Sequence, residues 1–368
     1  MNVLVFLLVL TVLVLIHEAG HFFVAKFFKI KIEEFGFGLP PRALARKIGE
    51  TVYSINWLPI GGFVKLYGED EAGAGRLKVP SSKLKALDKS KAFYARSWWQ
   101  KALVIVAGVV MNFLLAVLIT SVLFAVVGVE TPGDKVYVQA VVKDSPAESA
   151  GIKSGDVIEY INSIKVTSTQ QLIDITKKHL GEKLSLKILS RQTEKVVDVT
   201  PRVKYPQSQG PMGVGIAQSS EVKKYSWYEA VIAGFKDSLN KAGMLLKASG
   251  SLISQIFSTG QVPEYSFAGP VGIAQLTGRY IEFGPAVVLS FVSLLSINLA
   301  IINLLPIPGL DGGRLFFILL GAVSRRKISP RIEGYFHTAG IALLYALLLA
   351  ITFHEITRLL SGQPILPK

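Results

Sequence analysis

The chain contains no cysteine. That excludes a disulfide framework and any thiolate metal centre, so a metal held here must sit on histidine or carboxylate. Histidine is scarce too, with five in 368 residues, and charged residues make up only 18% against 50% hydrophobic. Together with a mean hydropathy of +0.44, this shortage of charge excludes an ordinary water-soluble protein of this length. Negative charge is the scarcer sign, 26 Asp and Glu against 40 Lys and Arg.

What the chain has instead is long apolar runs. Four are long enough to cross a bilayer, at 1–25, 101–127, 284–323 and 335–360. The first lacks a basic leader and a small-residue cleavage site, so it reads as a retained helix and not a signal peptide. Fifteen Lys or Arg fall between Lys26 and Lys101, and Arg325, Arg326, Lys327 and Arg331 follow the third run. The positive-inside rule sends both loops to the cytoplasm and the long region between the second and third runs outside. The basic excess is thus topogenic. No module or aromatic-basic face for a nucleic acid appears, so the expected partner of the positive charge is the lipid bilayer.

Three polar segments interrupt the runs. Region 26–100 contains Ile32–Gly38 and Thr51–Leu66, alternating and glycine-bearing, which read as short strands of a membrane-associated hairpin able to pair with an extended peptide. Glu69–Lys91, rich in Gly, Ala, Ser and Lys, reads as a flexible loop. Region 131–205 reads as a small α+β unit, with Ser145-Pro146 opening a short helix, Gly151 stopping it and Gly155-Asp156 turning into a strand. Region 220–260 reads as an amphipathic helix at the membrane interface, its apolar positions interrupted by Lys236, Asp237, Lys241 and Lys247.

The chemistry lies in the first apolar run, at His17-Glu18-Ala19-Gly20-His21. On a helix the two histidines are i and i+4 on one face, so both imidazoles can share one Zn²⁺, and Glu18 can reach a water beside it as general base. Two ligands are too few for a catalytic zinc. The third apolar run breaks at Asn303-Leu-Leu-Pro306-Ile-Pro308-Gly-Leu-Asp311-Gly-Gly, where two prolines force the backbone out of helical form. A carboxylate at membrane depth is costly unless paired or metal-bound, which makes Asp311 the expected third ligand. An N-cap role or an ion pair with Arg314 are its bland alternatives. Asn303 reads as a contact for substrate backbone or oxyanion, with an interhelical hydrogen bond as the structural alternative. His179, His337 and His354 read as interfacial or solvated. Beside hydrolysis, the same three ligands leave open a membrane metal-binding or transport protein, and the outside unit leaves open a catalytically silent scaffold.

The motifs His17-Glu-Ala-Gly-His21 and Asn-x-x-Pro-x-Pro-x-Leu-Asp-Gly at 303–312, with the Ser-Pro-Ala…Ala-Gly…Gly-Asp-Val-Ile…Ile-Asn pattern of a bacterial PDZ domain between them, resemble the RseP-type site-2 proteases. Gly36-Phe-Gly38, Pro59-Ile-Gly61-Gly62-Phe-Val-Lys65, Ala107-Gly108…Asn112-Phe113 and Gly269-Pro-Val-Gly-Ile273 support it. The resemblance implies a multi-pass α-helical membrane protein of four transmembrane helices, with a membrane-associated β-hairpin and an inserted α+β PDZ domain. It implies His17, His21 and Asp311 as ligands of a Zn²⁺ cofactor, Glu18 as catalytic base, and Asn303 with Gly36, Gly38, Gly61 and Gly62 of the hairpin in substrate binding. It further implies an intramembrane metalloendopeptidase of the bacterial cytoplasmic membrane, with its PDZ domain extracytoplasmic and receiving peptide ends or strands. Its partners would be single-span membrane proteins already trimmed outside, such as an anti-sigma factor or a signal-peptide remnant.

Overall fold

The computed structural model describes residues 2–69, 88–191, 193–206, 209–260, 269–325 and 329–362. Most of the loop expected at Glu69–Lys91, namely 70–87, and Arg326 and Lys327 of the second basic loop lie outside the described residues. The chain divides into two compact units, 1–127 with 226–368, and Gly128–Tyr225.

The first unit is helical, with one hairpin. Among the described residues four helices are long and apolar enough to cross a membrane: α1 (Asn2–Phe27), α2 (Trp98–Val126), the helix Pro285–Leu304, and the helix Pro330–Leu360. Glycine lets α1 and α2 touch. A Cβ on Gly20 would lie 2.4 Å from the Ala107 carbonyl oxygen, the close approach that small residues give membrane helices. Small hydroxyls join α2 to Pro285–Leu304. Ser296 Oγ donates to the Asn112 carbonyl at 2.7 Å, and Thr120 and Ser293 bond at 3.0 Å. These bonds satisfy polar groups where lipid offers no partner.

After α1 the chain forms β1 (Ile32–Ile48) and β2 (Thr51–Leu66), an antiparallel pair joined by a two-residue turn with Gly49 at φ +62°. β1 is longer than expected, because its pairing steps over Pro40-Pro41, where the sequence signals a stop, while β2 spans the expected Thr51–Leu66. Side chains replace the ladder there. Asn56 Nδ2 donates to the carbonyls of Phe37 and Gly38, and Arg42 is bonded through two nitrogens to the buried Glu34 carboxylate. Burial alone would raise the Glu34 carboxyl, but the Arg42 guanidinium outweighs it and holds the group below the ordinary glutamate value.

The second unit carries β3 (Val129–Val141), α3 (Pro146–Ser149), β4 (Val157–Ile161), β5 (Ile164–Lys165), α4 (Thr169–Lys178), β6 (Leu184–Ser190), β7 (Thr193–Val199) and β8 (Val214–Lys223). The strand order is β7-β6-β4-β3-β8, all antiparallel, with β5 beside β4. Ser145 and Ser168 cap α3 and α4 by accepting from Glu148 and Gln171 amides, and Gly151 ends the first turn at φ +77°. Val136, Ile158, Leu172, Leu184 and Leu186 fill its core. This is the α+β unit expected at 131–205, and its sheet takes in β8, a strand that begins beyond those bounds.

The chain then returns as α5 (Trp227–Thr259), α6 (Pro270–Glu282), α7 (Pro285–Leu304), α8 (Asp311–Ser324) and α9 (Pro330–Leu360). Ala230 and Ser238 of α5 are fully buried, and a Cβ on Gly234 between them would meet Ser121 Oγ at 2.4 Å. This four-residue stripe of small side chains lays α5 along α2, while Trp227, Tyr228, Val231 and Ile232 stay exposed. On α9 the buried Glu355 accepts from the amides of Gly269, Val271 and Gly272, at 2.7, 3.1 and 3.1 Å, and so caps the start of α6.

Candidate active site

The site is assembled on α1, whose period sets His17 and His21 on one face, both buried. The stripe Val104, Gly108, Asn112 of α2 runs beneath that face at the same four-residue spacing. A Cβ on Gly108 would lie 2.6 Å from His21 Nε2 and 2.7 Å from His17 Cε1. Only a glycine leaves α2 room to pass under the two rings. One turn earlier, the Val104 carbonyl accepts from His21 Nδ1 at 2.8 Å. With the proton on Nδ1, the Nε2 lone pair of His21 is left for a ligand. One turn later, the buried side-chain amide of Asn112 lies 3.4 Å from His17 Nδ1, and Asn112 Oδ1 has no partner among the described residues. Turning the amide about its axis gives that oxygen the His17 Nδ1 proton and leaves both histidines with Nε2 lone pairs.

The third element comes from the broken span. The chain leaves helical form after Leu304 and resumes it at Asp311, the first residue of α8. Pro306 and Pro308 lack the amide donors that would continue α7. Gly312 and Gly313 permit the reversal, since a Cβ at either would meet the carbonyl oxygen of Leu305 or Ile307 at 2.0 or 2.5 Å. Asp311 Oδ2 thereby lies 2.8 Å from His17 Nε2 and 3.2 Å from His21 Nε2, and the two Nε2 atoms are 3.2 Å apart. The bland alternatives for Asp311 do not describe it: Leu310 holds the N-cap position, and Arg314 is paired with Glu69.

Three acceptor atoms this close repel one another unless a cation sits among them. Two neutral imidazoles and one carboxylate are the nitrogen and oxygen donors that a three-ligand catalytic zinc uses, and the edge of a tetrahedron with bonds of about 2.1 Å is about 3.4 Å. The residues present therefore fit a divalent metal, and His17, His21 and Asp311 are the group that can hold it.

Glu18 shares this environment. Its Oε2 accepts the Val64 amide at 2.9 Å, which ties β2 to α1 and shows that β2 presents its Val64 amide to the carboxylate. A 160 Å³ cavity is lined by Glu18, His21, Phe63, Val64, Asp311 and Arg314, among others. Asn303 Nδ2 lies 3.4 Å from His17 Nε2, so the asparagine also reaches the group.

The four hairpin glycines are placed by the hairpin itself. Gly36 lies against the Phe63 ring, Gly62 against the Gly36 carbonyl and Leu15, and Gly38 and Gly61 take φ +76° and +74°. Of the other histidines, His179 is exposed beside Glu182 and His354 is exposed on α9. His337, expected at the interface or in solvent, is instead buried and accepts the Gly309 amide. Sequence reasoning gave no role to Val104, Glu69 or His337, and quoted Gly108 and Asn112 only as motif matches. The signal for the α2 residues was their spacing of four, in register with a face of small and polar groups.

A buried histidine pair facing an aspartate among helices long enough to span a membrane fits a membrane-embedded metallopeptidase. The profile of peptidase family M50 matches residues 5–347, and the chain belongs to that family, the site-2 proteases. A protein of Clostridium acetobutylicum is 31% identical over 355 residues, covering 96% of this chain and 97% of its own. Zinc metalloprotease RasP of Geobacillus kaustophilus is 28% identical over 433 residues, covering 97% and 98%. Among solved structures, the PDZ domain of an SdrC-like protein from Listeria innocua is 28% identical and covers 23% of this chain and 93% of that one, with a TM-score of 0.20. Membership in a peptidase family replaces both the transporter and the silent-scaffold readings.

Proposed function

We propose that the chain cuts the transmembrane segments of single-span membrane proteins, with zinc held by His17, His21 and Asp311 and with Glu18 as the base. One observation carries the reading: two imidazole nitrogens on a spanning helix and a carboxylate oxygen at the start of α8, from residues 294 positions apart, lie within 3.2 Å of one another, beside Glu18. When bound, zinc supplies Lewis acidity, which polarises a peptide carbonyl and acidifies a water.

The remaining work belongs to the chain's own residues. Glu18, its Oε2 oriented by the Val64 amide, takes a proton from the attacking water as the new C–O bond forms. It then delivers that proton to the departing amine nitrogen as the C–N bond breaks. The Asn303 amide, 3.4 Å from His17 Nε2, would donate to the oxygen on which charge develops. A helical substrate hides its carbonyls in i→i−4 bonds and must unwind first. Strand β2, tied to Glu18 through Val64, offers an edge along which the extended segment can pair, and Gly36, Gly38, Gly61 and Gly62 keep that hairpin slim. Substrates with Gly, Pro or small polar residues in their span are favoured accordingly.

The fifteen Lys and Arg between Lys26 and Lys101 support a cytoplasmic membrane location with the PDZ domain outside. There the domain receives or inspects the trimmed ends of substrates such as an anti-sigma factor or a signal-peptide remnant.

The test is cleavage of a synthetic transmembrane peptide in detergent, paired with metal analysis. Glu18→Gln should lower the rate by about 10²–10⁴-fold while zinc stays near that of the wild type. Full activity in that variant, or a wild-type chain that cleaves as well without metal as with it, overturns the mechanism.

A further inference from the structure

His337 is the residue whose burial the mechanism above does not use. It lies on α9, whose surface is otherwise mostly exposed and apolar, yet only 3% of it is accessible. A buried imidazole in an apolar setting is costly unless its nitrogens are engaged. One of them is. The Gly309 amide donates to His337 Nδ1 at 3.0 Å, which places the ring proton on Nε2. That Nε2 is buried without a protein partner among the described residues. The ring also borders a 120 Å³ cavity together with Gly309, Leu310, Asp311, Arg314 and Ile341.

Gly309 is the pivot of the segment that delivers Asp311. It stands two residues before it, at φ +90°, between the last proline of the break and the start of α8. Within the break, Ile307 donates to the Leu305 carbonyl and Leu310 to that of Ile307. The Gly309 amide instead leaves the segment and goes to α9. Contact there is tight, since a Cβ on Gly340 would lie 2.1 Å from Pro308 Cβ, and one on Gly309 would lie 2.9 Å from Ile341.

We infer that His337 is a positioning residue for Asp311. By accepting the Gly309 amide it fixes where α8 begins, and so where the Asp311 carboxylate stands against the two imidazoles. His337 lines the same cavity as that carboxylate. Carboxylate ligands are held in this way by outer hydrogen bonds, whose loss weakens metal binding without touching a ligand. The inference rests on the reading that Asp311 shares a zinc with His17 and His21.

Two substitutions separate the hydrogen bond from simple filling of space. His337→Leu keeps an apolar side chain against Phe317 and Phe336, which flank the ring at 6.0 and 5.9 Å, but leaves the Gly309 amide unpaired. His337→Asn keeps an acceptor the same number of bonds from the backbone as Nδ1. Zinc affinity is read by chelator competition in detergent, with thermal unfolding of the metal-free proteins alongside. The Leu variant should bind zinc about 10–100-fold more weakly, and the Asn variant within about threefold of wild type. The turnover number should fall with affinity at subsaturating zinc, with KM for the peptide unchanged. Wild-type affinity in the Leu variant overturns the inference alone, as does equal loss in both variants, which would mean that only the ring's shape matters. A wild-type chain that holds no zinc overturns the inference together with the reading beneath it.

Discussion

Gly108 is the residue on which the metal group most depends without belonging to it. A methyl there has nowhere to go, because both imidazoles lie within 2.7 Å of its position and the α2 backbone is pinned by Ser296 and Ser293 of α7. Gly108→Ala should therefore displace at least one ring and weaken zinc binding by about tenfold or more, measured by chelator competition. Gly243→Ala on α5, where nothing lies within 4 Å of the new atom, serves as the control and should bind zinc as the wild type does. Equal affinity in the two variants would show that α2 can move away from α1. At this scale the sequence disclosed His17, Glu18 and His21 outright, since one helical period suffices to bring them together. Asp311 was reached by a cost argument, because a carboxylate just after two prolines at membrane depth needs an ion partner or a metal. His337 was not reached at all. Its partner is a backbone amide, and a backbone amide leaves no mark in the sequence.

At the scale of the element, chain breaks and caps carry the information. The two prolines and the Gly-Gly pair made the interruption between α7 and α8 legible, because each removes a donor or a Cβ in a known way. The same logic misplaced the end of β1. Pro40-Pro41 removes ladder donors, yet backbone pairing resumes beyond it with Arg42 opposite Asn56, beside the bonds that Asn56 and the Glu34–Arg42 pair add. Glu355 shows the converse case, an acidic residue on a spanning helix with no metal role. Its carboxylate satisfies three amides at the start of α6, and removing it leaves them buried without partners. Glu355→Ala should lower stability by about 2–6 kcal/mol, at about 1–3 kcal/mol for each of the two buried amides, those of Gly269 and Gly272. Thermal unfolding in detergent checks this, and a melting temperature equal to wild type would show that the cap contributes nothing. Zinc affinity should stay unchanged, because the cap touches no residue of the metal group.

Across the whole molecule, every residue of the metal group and its base belongs to the unit formed by 1–127 and 226–368. The Gly128–Tyr225 unit holds a core of its own. Replacing Gly128–Tyr225 with a short flexible linker should leave cleavage of a short transmembrane peptide intact and relax selection against substrates that still carry a bulky outside domain. Comparing the two substrates in proteoliposomes checks this. Loss of both activities would mean that the unit is required for the fold of the site, and unchanged selectivity would remove its proposed part in inspection. The sequence by itself determined the membrane class, the four spans, an inserted α+β unit and the His-Glu-x-x-His helix. Each is written in hydropathy, local period or turn chemistry, which act over a few residues. Only the tertiary structure decided that Asp311 stands 2.8 Å from His17, that Gly108 makes room for both rings, and that His337 and Glu355 hold backbone amides. Those are contacts between segments up to hundreds of residues apart, and their strength depends on distances that no local pattern encodes.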